Sequence, residues 1–293
     1  EATGLDLVEF VGLGFALYAQ RATWTPGAEM YVRAAFDTAL SREKVDRFLS
    51  LTSHTAEEFK EKFSGSSGSW AFRPFEERPI LRLGDDLLVL DEGFMVERVL
   101  SGLYWLVHDH EAAAHGDRAR HLWTMAYGEM IEAMALESLR TIAPPLLGGG
   151  STLVTEGDFA SAFPGRRCDA GIDFGEFYCL FEIVSGQVST KTRVEGSFEA
   201  FQKDTERLVL DKVDQLSQTA NSILANPSKI PGLSHLPGRR IVPVLVNLGT
   251  YPVNPLTMRY LSEEMQVRAY LQDPRITPLC VIDIGELEIL EAL

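Results

Sequence analysis

The sequence is poor in cations and in cysteine, and it has no long apolar run. Its 27 Lys and Arg stand against 42 Asp and Glu, a formal charge of −15, which excludes a generic polycation that coats nucleic acid. The three cysteines, Cys168, Cys179 and Cys280, are odd in number and form no CxxC pair. That excludes a disulfide framework and points to reduced core thiols and a cytoplasmic setting. No stretch approaches the roughly 18 apolar residues that a spanning helix needs. The apolar opening over 5–18 is broken by Asp6 and Glu9, so no membrane partner is expected. The chain opens on Glu1 without a basic segment, apolar stretch and cleavage site, and a trimmed segment ahead of it is expected.

What is present is ordinary for a globular chain: 293 residues, 45% hydrophobic and 24% charged, enough for one large or two modest domains. Residues 1–116 read as a mainly helical region. Leu5, Val8, Phe10, Leu13 and Leu17 recur near helical spacing, and so do Met30, Val32, Ala35, Phe36 and Leu40. Thr55 with Glu58 makes a capping box that predicts a helix over 56–63. The Gly/Ser segment 64–69 reads as a linker or loop, and the apolar runs around Gly84-Asp85-Asp86 as a hairpin near 79–90. Helices are expected over 92–107 and 117–141, ending at Pro144-Pro145 and the Gly148–Gly150 connector.

From residue 151 the pattern changes to strands at 152–154, 168–173 and 177–184, a long helix over 197–224, and a buried strand at 241–248. A loop at 227–237, a helix over 255–271, a strand at 278–284 and a short terminal helix complete it. This predicts an α/β domain over 117–293 with a mixed sheet flanked by helices. In the third strand, alternation puts Tyr178, Leu180, Glu182 and Val184 on one face. Glu182 is an acid in an apolar strand, and a buried carboxylate needs a cation, a donor network or a metal. If the second and third strands form a hairpin around Gly175, Asp169 and Asp173 can both lie across from the strand that carries Glu182. Converging acids would make an oxygen-ligand site for a hard divalent ion, whereas a solvated sheet edge is the plain alternative.

The run Cys168-Asp169-Ala170-Gly171-Ile172-Asp173, then Gly175 to Glu182-Ile183-Val184, resembles the core of the PD-(D/E)XK nucleases: an Asp, a hairpin, then Glu-x-Lys. Upstream, Gly128 and Glu132 match the glutamate of that family's first helix, and downstream Lys212 and Gln215 match its Lys/Gln-bearing helix. The resemblance covers about 128–284. It implies a restriction-endonuclease-like fold, Mg²⁺ or Mn²⁺ held by Asp169, Glu182 and Glu132, and a polar contact from Gln215. The reaction it implies is phosphodiester hydrolysis of nucleic acid, in a setting such as bacterial restriction or defence.

One position departs from that pattern. Val184 stands where the family has its catalytic lysine. Either a lysine from elsewhere, Lys191, Lys203 or Lys212, fills the space, or the domain is an inactive relative that binds or scaffolds. Lys212 and Gln215 are three residues apart and share a helix face, although a solvated or snorkelling side chain is the favoured plain reading of that lysine. Arg166-Arg167, Lys191 with Arg193, and Arg239-Arg240 are sparse pairs, so no strong basic surface for nucleic acid is expected, and a protein partner or a homo-oligomer could supply the rest. The histidine-rich stretch around His108, His110, His115 and His121 reads as a surface loop at a helix end rather than a zinc site.

Overall fold

The computed structural model describes residues 2–21, 31–32, 41–64, 72–145, 152–193, 195–230, 238–248 and 251–292. They fall into two compact units, Glu1–Met125 and Ala126–Leu293. The linker expected at 64–69 lies outside the described residues beyond Ser64, as do the Gly148–Gly150 connector and residues 231–237 of the expected loop.

The first unit contains α1 (Leu7–Arg21), β1 (Tyr31–Val32), α2 (Arg42–Thr52), β2 (Ser53–Thr55), α3 (Ala56–Ser64), α4 (Arg73–Glu77), β3 (Ile80–Leu83), β4 (Asp86–Val89), α5 (Glu92–Val99), α6 (Gly102–His115) and the start of α7 (Asp117–Ile142). On α1, Phe10, Leu13 and Leu17 line one stripe and pack on Val45, Phe48 and Leu49 of α2 and on Met95 and Val99 of α5. Gly14 permits this approach, because a Cβ there would overlap the Val99 side chain. The Thr55–Glu58 capping box forms as expected, with Thr55 N donating to Glu58 Oε2 at 2.8 Å and Glu58 N to Thr55 Oγ1 at 3.2 Å. β3 and β4 make the expected hairpin, turning at Gly84 with φ +68°, a conformation that glycine adopts without a Cβ clash.

Three expectations in this unit are corrected. Tyr31 and Val32 are not helical; they add an edge strand to β4, in the sheet order β1-β4-β3-β2. The remainder of that expected helix, 33–40, lies outside the described residues. The single helix over 92–107 is broken at Leu100 and Ser101, because the chain turns sharply there and Gly102 lies so close to the Glu97 carbonyl that a Cβ would stand 2.9 Å from it. Helix α6 consequently runs on to His115, and the histidines His108 and His110 are helical rather than on a loop.

The second unit holds the rest of α7, then β5 (Leu153–Thr155), α8 (Glu156–Ala162), β6 (Ala170–Asp173), β7 (Phe177–Val184), α9 (Thr190–Arg193), α10 (Phe198–Thr205), a π turn over Glu206–Leu210, α11 (Asp211–Ala225), β8 (Arg240–Asn247), α12 (Pro255–Val267), β9 (Cys280–Asp283) and α13 (Ile284–Ala292). The sheet order is β5-β6-β7-β8-β9, antiparallel from β5 to β7 and parallel from β7 to β9, so the sheet is mixed. Its two faces are both covered. Tyr178, Leu180 and Val184 pack with Leu216, Ala220 and Ile223 of α11, and Phe181, Ile183, Val244 and Val246 pack with Ile131, Ala135 and Leu139 of α7 and Leu287 of α13. Each buried Val, Leu, Ile or Phe among them contributes about 1.5–3 kcal/mol, and burial on both faces is why β8 reads as a nearly continuous apolar run.

The α/β class is therefore as expected, and the unit division falls after Met125, inside α7, beside an expected boundary of 116/117. Helix α8 had no counterpart in the sequence reading. The π turn was also unforeseen: Leu208, Val209 and Leu210 are consecutive and all buried, which a regular α-helix cannot present to one side and a widened turn can. Of the cysteines, Cys168 is buried, Cys179 half-buried and Cys280 exposed, so Cys280 is not a core thiol; it sits at the start of the edge strand β9. No helix among the described residues is long and apolar enough to cross a membrane.

Candidate active site

The site is built on the central strand β7. The β6–β7 register pairs Ala170 with Phe181 and Gly171 with Leu180, so Asp169, one residue ahead of β6, lies opposite Glu182. Directly opposed residues in an antiparallel pair share a face. Glu182 is fully buried on the α11 side. Two hydrogen bonds hold Asp169: its Oδ2 accepts from Ile183 N at 2.6 Å, and its carbonyl accepts from Glu156 N at 2.9 Å.

Helix α11 supplies the cation. Lys212 Nζ donates to Glu182 Oε1 at 2.5 Å, and the lysine side chain keeps 26% of its surface in solvent while the glutamate keeps none. Of the three candidate lysines, Lys203 is spent on Glu199 at 2.8 Å and Lys191 lies exposed on α9. Val184, where the expected pattern has a lysine, is an apolar residue in the α11-facing core. Three residues beyond Lys212, Gln215 is buried, and its Nε2 donates to the Arg167 carbonyl at 3.1 Å, while its Oε1 has no hydrogen-bond partner. Glu182 Oε2 is likewise buried without a partner.

Helices α7 and α8 add two more acids. Glu132 on α7, Glu156 at the start of α8 and Asp169 each offer an oxygen within 4.8 Å of the others, and this is the group among the described residues that could hold an ion. The composition differs from the expected trio. Glu132 and Asp169 are brought together, but Glu182 is engaged by Lys212 and Glu156 completes the group. Glu156 was legible in principle: the Thr155–Asp158 capping box starts α8, with Thr155 N donating to Asp158 Oδ2 at 2.9 Å, and sets Glu156 at its first position. Gly128, one turn before Glu132, brings α7 against the end of β7; a Cβ there would stand 2.9 Å from Ser185 Oγ. Asp173 is removed from the site, at the far end of the hairpin, where it accepts from Arg239 Nη2 and from Gly175 N, both at 2.8 Å.

The electrostatics of this cluster are those of carboxylates short of positive charge. Burial raises the Glu182 carboxyl to about 8, the Asp169 charge adds to the rise, and Lys212 opposes it. Burial also raises Asp169 to about 6, against the Ile183 N–H bond and Lys212, with Glu132 and Glu156 adding to the rise. Hard oxygen donors from three places in the chain, Glu132, Glu156 and Asp169, and this surplus of negative charge fit a hard divalent cation such as Mg²⁺ or Mn²⁺. The histidines of α6 join no such group among the described residues; His108 Nδ1 instead pairs with Asp109 at 2.9 Å.

Comparison with family models, curated proteins and solved structures finds no match, so the geometry of the site carries the functional reading.

Proposed function

We propose that the second unit is a metal-dependent nuclease of the PD-(D/E)XK type in which Lys212 takes the place of the lysine that Val184 lacks. The observation that carries this is the 2.5 Å contact between Lys212 Nζ and a glutamate buried in an apolar sheet. A purely structural core has no use for such a pair, since well-packed hydrophobic residues of the same volume are often at least as stable. The order of elements supports the reading as well: a helix bearing Glu132, an antiparallel hairpin bearing Asp169 and Glu182, and a helix bearing Lys212 and Gln215 that leads to a parallel strand.

In this reading Glu132, Glu156 and Asp169 would hold Mg²⁺ or Mn²⁺, which when bound supplies charge neutralisation for phosphate oxygens during phosphodiester hydrolysis. Lys212, partly exposed and anchored on Glu182, would hydrogen-bond the attacking water or a phosphate oxygen. Its anchoring fixes the ammonium before substrate arrives, so little reorganisation is left to the reaction. Gln215 acts through the backbone: it holds the 166–169 segment by the Arg167 carbonyl, and so positions Asp169.

Cleavage of a plasmid and of labelled oligonucleotides with Mg²⁺ or Mn²⁺ tests the proposal. Lys212→Ala is expected to lower the rate by about 10²–10⁴-fold, the usual range for an assisting acid–base group, and Asp169→Ala to abolish it. The buried Val184 favours a second reading, an inactive relative that binds or scaffolds. No cutting of DNA or RNA with either ion by a folded protein would select that reading.

A further inference from the structure

The cations of the second unit are mostly neutralised in place. Arg239, Arg259, Arg268 and Arg275 each face a carboxylate, as expected in a chain of net charge −15. At the segment 163–167, Arg167 and Lys229 form no ion pair among the described residues and meet at one aromatic ring, Arg167 Cζ lying 5.6 Å and Lys229 Nζ 5.8 Å from the Phe163 ring centroid, and Arg166 adjoins Arg167 along the chain. The two like charges drawn to one ring raise the energy of the free protein, and an incoming polyanion offsets it.

This segment is also held rigid, and held beside the acidic site. Gln215 Nε2 donates to the Arg167 carbonyl at 3.1 Å, Cys168 N donates to Thr219 Oγ1 at 3.1 Å, and Arg167 Nη1 donates to the Arg166 carbonyl at 3.1 Å. Both tethers run to α11, the helix that carries Lys212. Arg167 is buried and serves as the brace, whereas Arg166 and Lys229 are exposed. Arg166 is three residues from Asp169, and its positive charge reaches the Glu182 carboxylate.

We propose that this braced segment, with Lys229, is the phosphate-contact surface that seats a nucleic acid strand at the acidic site, Arg166 and Lys229 being the contacting cations. The inference rests on the nuclease reading and assigns it a substrate-binding face. Two accessible cations make a small footprint, consistent with the sparse basic charge of the chain.

Fluorescence anisotropy of a labelled 20-nucleotide strand and of its duplex, in Ca²⁺ and over a range of salt, tests it. Each lost phosphate contact lowers the salt slope by about 0.7–0.9, which at 0.1 M salt corresponds to about five- to eightfold weaker binding. Arg166→Ala and Lys229→Ala should each show that loss, Arg166→Lys should restore most of it, and Arg259→Ala, at an ion pair on α12, should change neither affinity nor slope. If the unaltered protein binds or cuts while Arg166→Ala and Lys229→Ala bind as tightly and with the same slope, this assignment falls and the nuclease reading stands. If the unaltered protein binds neither probe and cuts nothing, both fall.

Discussion

Glu182→Gln is the substitution whose effect on stability follows most directly from the structure. The folded-state carboxyl is raised from 4.5 to about 8 by burial and by Asp169. Between those two values the folded protein binds the Glu182 proton more tightly than the unfolded chain does. Stability therefore falls as pH rises through that window; it is highest below the unfolded value and bottoms out above the folded one. A full shift of this size would correspond to about 5 kcal/mol, at 1.36 kcal/mol for each pH unit, and relaxation around the Lys212 pair reduces it to a few kcal/mol. Asp169, raised from 3.8 to about 6, adds a decline of the same sign over its own lower window. A glutamine keeps the shape and cannot ionise, so the variant should lose the Glu182 part of the slope and be the more stable protein near pH 8.

The measurement must report the sheet. Trp24, Trp70, Trp105 and Trp123 all precede residue 126, so tryptophan fluorescence follows the wrong unit. Native-state hydrogen exchange of peptides spanning β7, corrected for the intrinsic pH dependence of exchange, gives the opening free energy directly. In EDTA that free energy should drop from pH 5 to pH 8 for the unaltered chain and drop less for Glu182→Gln. Mn²⁺ should flatten the decline, since an ion that binds only the folded state stabilises it by mass action. A free energy that is flat or rises over that range, or the same slope in both proteins, would refute the reasoning.

Other substitutions test the packing that positions the site. Gly171→Ala would set its Cβ 2.6 Å from Tyr178 Oη and 2.8 Å from Phe159 Cζ, so a loss of about 1–3 kcal/mol is expected, read from the same β7 peptides. Tyr178→Phe removes a buried hydroxyl that has no hydrogen-bond partner; it should be neutral or slightly stabilising, and a loss above about 1 kcal/mol would show that the hydroxyl is paired. Thr155→Ala removes one arm of the α8 capping box and should cost about 1 kcal/mol, seen as faster exchange in peptides covering 156–162 and, through Glu156, as weaker Mn²⁺ binding by calorimetry.

Much of this was legible along the chain because it is encoded over a few residues. Alternation in 177–184 separated the two faces of β7 and marked Glu182 as an acid among apolar neighbours, and the structure buries it there. The Gly84 and Gly175 turns and the Thr55 cap are short-range patterns, and all three form. Pattern failed where a distant partner decided the outcome. Tyr31 and Val32 become strand because β4 offers them an edge, and the helix after Glu92 breaks where the chain must turn and only a glycine fits at 102.

By itself, then, the sequence determined an α/β domain and the β6–β7 hairpin, with Asp169 and Asp173 both expected across from the strand of Glu182, since strand period and turn residues act locally. Tertiary structure alone decided that Lys212 meets Glu182 across 30 residues of chain, and that Glu156 rather than Glu182 joins Glu132 and Asp169. Those meetings depend on how α7, α8 and α11 pack around one end of a sheet. Packing geometry is set by the sum of many long-range contacts, and no short stretch of residues records it.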